Sequence, residues 1–257
     1  MKAVILAGGL GTRLREETEY KPKPMVEIGR RPILWHIMKN LSTQGINEFI
    51  ICAGYKSEYI KNYFLNYDTN INDLTVNLGS RSISVIHNKS ELESWTVTIA
   101  ETGLETMTGG RIKKIEKYLN NESFLCTYGD GLADIDLKAL TQSHKNAGTI
   151  ATLTAVAPTS RFGGLKIGEN SIVESFIEKP RDSQYVNGGF FIFEPDMFRY
   201  LGDNSVLEKE PLENLTNDHQ LSAYIHNGFW QPMDTYRETQ ELNFLWDNNR
   251  APWKNWS

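Results

Sequence analysis

Apolar positions in this chain fall into short continuous runs and helical stripes that alternate along its length. Residues 2–7 are an apolar run closed by glycine and read as a buried strand. Residues 32–44 open on proline, place Ile33, Leu34, Ile37, Met38 and Leu41 on one face and stop at Gly45, which predicts a helix. A second buried strand is expected at 47–53, then a helix over 57–67 capped by Ser57, with Ile60 and Phe64 facing inward. The polar, turn-rich stretch 68–79 reads as an excursion. Residues 82–87 and 95–99 alternate with period two, the latter placing Trp95, Val97 and Ile99 on one face. Ile112, Ile115 and Leu119 recur at helical spacing behind Thr108, a candidate N-cap. Further strands are expected at 124–128, 149–157, 172–177 and 190–193. An amphipathic helix follows at 238–248, with Leu242 and Leu245 inward. Strand, helix, strand, helix suggests an α/β domain built on a parallel sheet.

Composition narrows the class. With 257 residues, 40% apolar and 11% aromatic, the chain suits one large domain with a substantial core. Lys plus Arg at 27 against Asp plus Glu at 32 leaves a net charge of −5, which disfavours a nucleic-acid or anionic-membrane surface. A polyanion must therefore meet a local basic site, and a small phosphorylated ligand is the expectation. Cys52 and Cys126 lie inside apolar runs and read as inert core residues. No apolar stretch reaches the ~18 residues that span a bilayer, and no basic segment precedes the first strand, so a cytoplasmic protein is expected. Trp246, Trp253 and Trp256 crowd the C-terminal end. They are either folded back or buried in a neighbouring subunit; the contact with a second copy, hence a homo-oligomer, is the favoured expectation.

Candidate chemistry begins where the first strand ends, at Leu6-Ala7-Gly8-Gly9-Leu10-Gly11-Thr12-Arg13. Glycines without Cβ let backbone N–H groups turn inward as an anion-binding concavity, and Arg13 adds a planar fork for phosphate oxygens. A glycine turn can also serve only to pass from strand to helix, and the pattern is neither G-x-G-x-x-G nor a P-loop. Lys21-Pro22-Lys23-Pro24 follows, where two prolines stiffen the chain around Lys23 and bar a helix. Gly109, Gly110 and Arg111 would sit at a helix N-terminus suited to an anion or a base edge, though a simple cap with a solvated arginine is the bland alternative. Asp130, between Gly129 and Gly131, stands at the tip of the 124–128 strand, where open α/β sheets collect ligands; an Asp-Gly turn is the competing explanation.

Gly8-Gly9-x-Gly11-Thr12-Arg13-Leu14, then Thr18, then Pro22-Lys23-Pro24 together resemble the signature of the sugar-phosphate nucleotidyltransferases. Residues 101–111, Glu-Thr-Gly-Leu-Glu-Thr-Met-Thr-Gly-Gly-Arg, are similar to the glucose-1-phosphate cytidylyltransferase branch of that family, and the resemblance spans nearly the whole chain. Glu27, where relatives often carry proline, is one departure. Thr235, in place of the glycine usual after the late aspartate, is another.

The resemblance implies a Rossmann-like three-layer α/β sandwich with a mixed, mostly parallel sheet in a single domain. Residues 1–135 would bind nucleotide and 136–240 the sugar phosphate, with a helix and tail over 238–257. It implies substrates CTP and glucose 1-phosphate, Mg²⁺ held by Asp130 and Asp234, and a role in dideoxysugar or O-antigen precursor synthesis. Nucleotide contacts would come from Leu6, Ala7, Gly8, Gly9, Leu10, Gly11, Thr12, Arg13, Lys23, Gly129 and Asp130. Thr106, Gly110 and Arg111 would line the base pocket, with Thr106 and Arg111 reading cytosine. Sugar contacts would come from Tyr128, Gly163, Glu178, Lys179, Asn187 and Gly188. Arg13, Lys23 and Lys179 are the expected catalytic residues. Three readings compete: the same chemistry with another base or sugar, a non-catalytic subunit of the same fold, and a glycosyltransferase using Asp134-Ile135-Asp136 as its metal motif.

Overall fold

The protein is described from a computed structural model, over residues 1–79, 82–86, 93–158, 163–177 and 184–256. Seven strands make the main sheet: β1 (Lys2–Ala7), β2 (Glu48–Ala53), β3 (Thr96–Glu101), β4 (Phe124–Tyr128), β5 (Ala151–Val156), β6 (Val186–Phe193) and β7 (Leu221–His226). Their spatial order is β3-β2-β1-β4-β6-β5-β7. Neighbours run parallel except at β6, which is antiparallel to both β4 and β5, so the sheet is mixed. The chain builds outward from β1 to β3, then returns to place β4 on the other flank of β1. That reversal opens a crevice at the C-terminal ends of β1 and β4, where ligands of such sheets bind.

Strand faces divide between two cores with a strict period of two. Ala3, Ile5 and Ala7 of β1 and Phe49, Ile51 and Ala53 of β2 enter one core; Val4, Leu6, Ile50 and Cys52 enter the other. Parallel strands covered on both faces read as unbroken apolar runs, which is why these were recognisable. The first core is closed by α1 (Ile33–Ser42), with Ile33, Leu34, Ile37, Met38 and Leu41, and by Ile60 of α2 (Ser57–Leu65). The second is closed by Ile112 of α3 (Thr108–Lys114). Leu137 and Leu140 of α4 (Leu137–Ala147) join the first core, Leu212 and Leu215 of α5 (Glu210–Asn217) the second, and Leu242 of α6 (Tyr236–Asp247) the first. Three layers result. Each fully buried aliphatic side chain contributes about 1.5–3 kcal/mol. Burial pushes the Cys52 thiol up to about 12, so it behaves as a core residue, and the Cys126 thiol is raised as well.

Several expectations need correction. Ser57 does not cap α2: Lys56, with φ 51°, precedes the helix, and the Ser57 hydroxyl donates to Glu101 at 2.5 Å. The polar excursion holds a single helical turn, Tyr67–Ile71, and a strand, Asp73–Asn77, paired antiparallel with Ser82–Ile86 in a hairpin apart from the main sheet. β6 begins at Val186 rather than Phe190, because Asn187 and Gly188 already belong to the strand. The tryptophan tail folds back on its own domain. Trp253 is fully buried, stacks on Phe229 at 5.5 Å between centroids, and its carbonyl accepts from Asn40 at 2.7 Å. Trp246 and Trp256 pack around His36 within the same chain. Among the described residues, no helix is long and apolar enough to cross a membrane.

Candidate active site

The glycine loop leaves β1 and turns at Gly11, whose φ of +65° favours glycine; a Cβ there would also meet Thr18 at 2.7 Å. Thr18 in return donates its hydroxyl to the carbonyls of Gly11 and Leu14, both at 3.0 Å, and so ties the loop to the turn Thr12–Leu14. The Lys21-Pro22-Lys23-Pro24 segment does contain one 3₁₀ turn, Lys23–Met25, with Pro24 at its second position. Proline is tolerated there because the first turn lacks internal acceptors for its missing N–H. The turn buries Lys23, which is 6% exposed, and aims its ammonium at the end of β4.

Two carboxylates meet that ammonium. Lys23 Nζ lies 2.6 Å from Asp130 Oδ2 and 2.5 Å from Asp234 Oδ1, and Arg13 pairs with the other oxygen of Asp234. Asp130 follows β4 after the single residue Gly129. Asp234 arrives from the far end of the chain through a two-strand ladder of Gly131–Ala133 with Trp230–Pro232, extended by the Met233 N–H donating to Asp130 O at 2.8 Å. Thr235, the departure from the family pattern, is the N-cap of α6 in a capping box with Glu238. Glu238 also accepts the N–H groups of Asp234 and Thr235, both at 2.8 Å, so the cap fixes the aspartate.

These groups border a cleft of about 1030 Å³. Its wall contains Leu6, Ala7, Gly8, Gly9, Leu10, Gly11, Thr12, Arg13, Lys23, Thr106, Arg111, Tyr128, Gly129 and Asp130. Asp234 stands just behind, contacting Lys23 and Arg13. Glu178 and Lys179 lie outside the described residues. Asn187 touches the site through Tyr128, its amide donating to the phenol oxygen at 3.4 Å, and Gly188 is held by the Trp230 indole donating to its carbonyl at 2.7 Å. Gly163 adjoins the separate hairpin of Gly164–Ile167 with Val173–Ile177 and is not among the residues of the cleft wall.

The expected base-reading residues are differently employed. Arg111 is 4% exposed, and its guanidinium donates to the carbonyls of Ala53 (3.2 Å), Gly103 (2.8 Å), Gly8 (2.9 Å) and Leu104 (3.2 Å) and to the Thr102 hydroxyl (2.6 Å). It is a clamp joining the glycine loop, the end of β2 and the 103–104 turn, not a solvated arginine or a free donor. Burial lowers its pKa from the usual value. A Cβ on Gly8 would fall 2.1 Å from this guanidinium, which is why glycine is required there. Thr106 donates its hydroxyl to Thr102 O at 2.6 Å and accepts from Lys114 at 2.9 Å. Gly110 is outside the cleft wall, its N–H donated to Ser205 O at 3.1 Å. The N-cap of α3 is Met107, not Thr108, whose hydroxyl donates to Glu208 at 2.7 Å.

Glu208 carries no functional signal in the sequence. In Leu207-Glu208-Lys209-Glu210 it reads as a solvated charge, yet it also accepts from the Tyr128 hydroxyl and so ties Tyr128 to Thr108 across the cleft wall. Burial and the Glu208 charge raise the Tyr128 pKa far above its usual value, keeping it a neutral donor. The Asp-x-Asp pair is structural: Asp134 accepts from the Phe229 N–H at 2.6 Å, and Asp136 caps α4 by accepting from the Ala139 N–H at 3.0 Å.

Among the described residues no cluster of three or more His, Cys, Asp and Glu could enclose a metal. Asp130 and Asp234 nonetheless already share one cation, the Lys23 ammonium. Two carboxylates facing one point suit a hard divalent ion that completes its shell with water and substrate phosphate, so the residues fit such an ion. A glycine loop, two cations and two carboxylates at the switch point of an α/β sheet define a protein that handles a phosphate-bearing nucleotide.

Comparison with known proteins sharpens that class. The nucleotidyl transferase family profile matches residues 2–235, and the chain belongs to that family, whose members generally use a divalent metal. It is 51% identical to the glucose-1-phosphate cytidylyltransferase of Salmonella typhimurium over 100% of both chains. It is 44% identical, over the same coverage, to the probable glucose-1-phosphate cytidylyltransferase of Bacillus subtilis. Among solved structures, HddC from Yersinia pseudotuberculosis superposes with a TM-score of 0.69 at 24% identity, covering 95% of this chain and 99% of that one. A UDP-glucose pyrophosphorylase complexed with UDP-glucose gives 0.69 at 19% identity, covering 97% and 99%. These two share the fold.

Proposed function

We propose that the protein transfers a cytidylyl group from CTP to α-D-glucose 1-phosphate, forming CDP-glucose and pyrophosphate. The observation that carries the reaction type is the convergence of Arg13, Lys23, Asp130 and Asp234 on the mouth of the glycine loop. The choice of cytosine and glucose follows the relatives that match over their full length.

In this reading a phosphate oxygen of the sugar phosphate attacks the α-phosphorus in line, a new P–O bond forms, and the bond to the bridging oxygen of pyrophosphate breaks. The nucleophile is already ionised near neutral pH, so no side chain removes a proton. The protein supplies alignment and charge. Backbone N–H groups of the 8–12 loop and the Arg13 fork hold triphosphate oxygens. Lys23 offsets charge on the oxygens as the bond breaks. Asp130 and Asp234 would hold Mg²⁺, which would supply charge neutralisation to the triphosphate. Lys179 is assigned to orienting the sugar phosphate, and Tyr128, Asn187, Gly188, Glu178 and Gly163 to the sugar half. With the Arg111 and Thr106 side chains engaged internally, the base edge is left to residues 104–107 and the backbone of the glycine loop.

The test is pyrophosphate release measured for CTP, UTP, dTTP and GTP against glucose 1-phosphate and mannose 1-phosphate. CTP with glucose 1-phosphate should give the highest kcat/KM, by a large factor over UTP, since an acceptor facing an acceptor in a buried pocket typically costs a few kcal/mol. A higher kcat/KM for dTTP or GTP would reassign the substrate. No release with any pair would remove the catalytic reading.

A further inference from the structure

We propose that Lys23 is an internal counterion that closes the metal site of the ligand-free protein, so that the divalent cation enters only together with the triphosphate. This deepens the nucleotidyl-transfer reading and rests on it. Asp130 Oδ2 and Asp234 Oδ1 are both held by the Lys23 ammonium, at 2.6 and 2.5 Å, and Asp234 Oδ2 is held by Arg13. Three of the four carboxylate oxygens are thus committed, and two negative charges are matched by two positive ones. Without nucleotide, a dication approaching the two aspartates meets no net attraction and must displace an ammonium already in close contact. Lys23 cannot turn out into solvent, because its side chain is 8% exposed and its backbone is fixed by Pro22, Pro24 and the Val26 N–H donated to Lys23 O at 3.0 Å.

A triphosphate changes that balance. Its oxygens arrive beside the same glycine loop that carries Arg13, whose side chain is 71% exposed and free to follow them. The Lys23 ammonium has three protons and spends two on the aspartates, so phosphate oxygens compete for it from the cleft side. Each cation that turns to phosphate releases carboxylate oxygens. Metal and nucleotide therefore bind with positive coupling, and by linkage each raises the affinity of the other by the same factor.

The experiment follows Mn²⁺ binding by electron paramagnetic resonance of the free ion, with no nucleotide present, in wild type, Lys23→Met and Arg13→Gln. Wild type should bind Mn²⁺ weakly. Lys23→Met should bind it about tenfold tighter or more, and Arg13→Gln should show a smaller gain. Should Lys23→Met fail to fold, Arg13→Gln carries the test from a surface position. Calorimetric titration of CTP with and without Mn²⁺ then reads the coupling, strong in wild type and reduced in Lys23→Met. The proposal is overturned if ligand-free wild type binds Mn²⁺ as tightly as both variants, or if CTP affinity is independent of metal. Failure of CTP, UTP, dTTP and GTP all to bind would instead overturn the nucleotidyl-transfer reading.

Discussion

Replacing Arg111 by alanine separates a base reader from a clamp. The substitution removes a guanidinium that donates to four carbonyls and one hydroxyl drawn from the glycine loop, the end of β2 and the 102–104 turn. Not all of these acceptors are orphaned. Ala53 O keeps the Thr102 N–H at 3.0 Å and hydroxyl at 2.6 Å, and Gly8 O keeps the Tyr55 N–H at 3.2 Å. Gly103 O and Leu104 O lose a charge-assisted bond each, worth about 1.5–3 kcal/mol. Relief of the desolvation of a buried cation offsets part of this. A net destabilisation of about 2–4 kcal/mol follows, or a fall in Tm of roughly 5–15 °C for a chain of this size. The untethered glycine loop should raise KM for CTP and UTP together, so their kcat/KM ratio stays nearly constant. Calorimetry and steady-state rates on one preparation test both halves. An unchanged Tm with a collapsed CTP-to-UTP ratio would refute the clamp and return Arg111 to the base.

Lys23→Ala should lower kcat by roughly 10²-fold or more, the scale of losing one preorganised charge, with circular dichroism unchanged; a wild-type kcat would dissociate Lys23 from the reaction. Asp130→Asn and Asp234→Asn should each raise the Mg²⁺ concentration needed for half-maximal rate, because an amide attracts a hard cation far less than a carboxylate does; an unchanged requirement in both would exclude the pair as ligands. Thr235→Ala should cost about 1 kcal/mol in stability through loss of the α6 cap and should also raise the Mg²⁺ requirement, since the same cap fixes Asp234. His36 is fully buried, faces Ile28 O through Nε2 at 2.9 Å and accepts the Trp253 indole N–H through Nδ1 at 3.4 Å, and burial moves its pKa down to about 4. As the unfolded chain protonates first, stability present above about pH 6.5 should fall by about 3 kcal/mol as pH drops to 4. His36→Gln should flatten that part of the Tm-against-pH curve; equal slopes would show that His36 does not titrate with unfolding.

Much of the architecture was legible from the chain because its signals are local. An apolar run closed by glycine marked β1 and its loop, the 3.6-residue stripe of Ile33, Leu34, Ile37, Met38 and Leu41 marked α1, and prolines flanking Lys23 marked a stiffened cation. Asp130 was visible at the tip of an apolar strand. What the sequence alone could not decide were relations between distant segments. Nothing near Asp234 reveals that the Gly131–Ala133 and Trp230–Pro232 ladder seats it against Asp130. Nothing near β6 reveals that it inserts antiparallel between β4 and β5. Side-chain roles were the least legible. Arg111 sits in a motif suited to a ligand, and only the folded chain brings four backbone carbonyls from separate segments within its reach. Glu208 looks like one charge in a polar run until Tyr128 and Thr108 converge on it. Periodicity and turn chemistry report what a residue prefers, whereas a buried polar group is assigned by whichever partners the tertiary structure leaves unsatisfied around it.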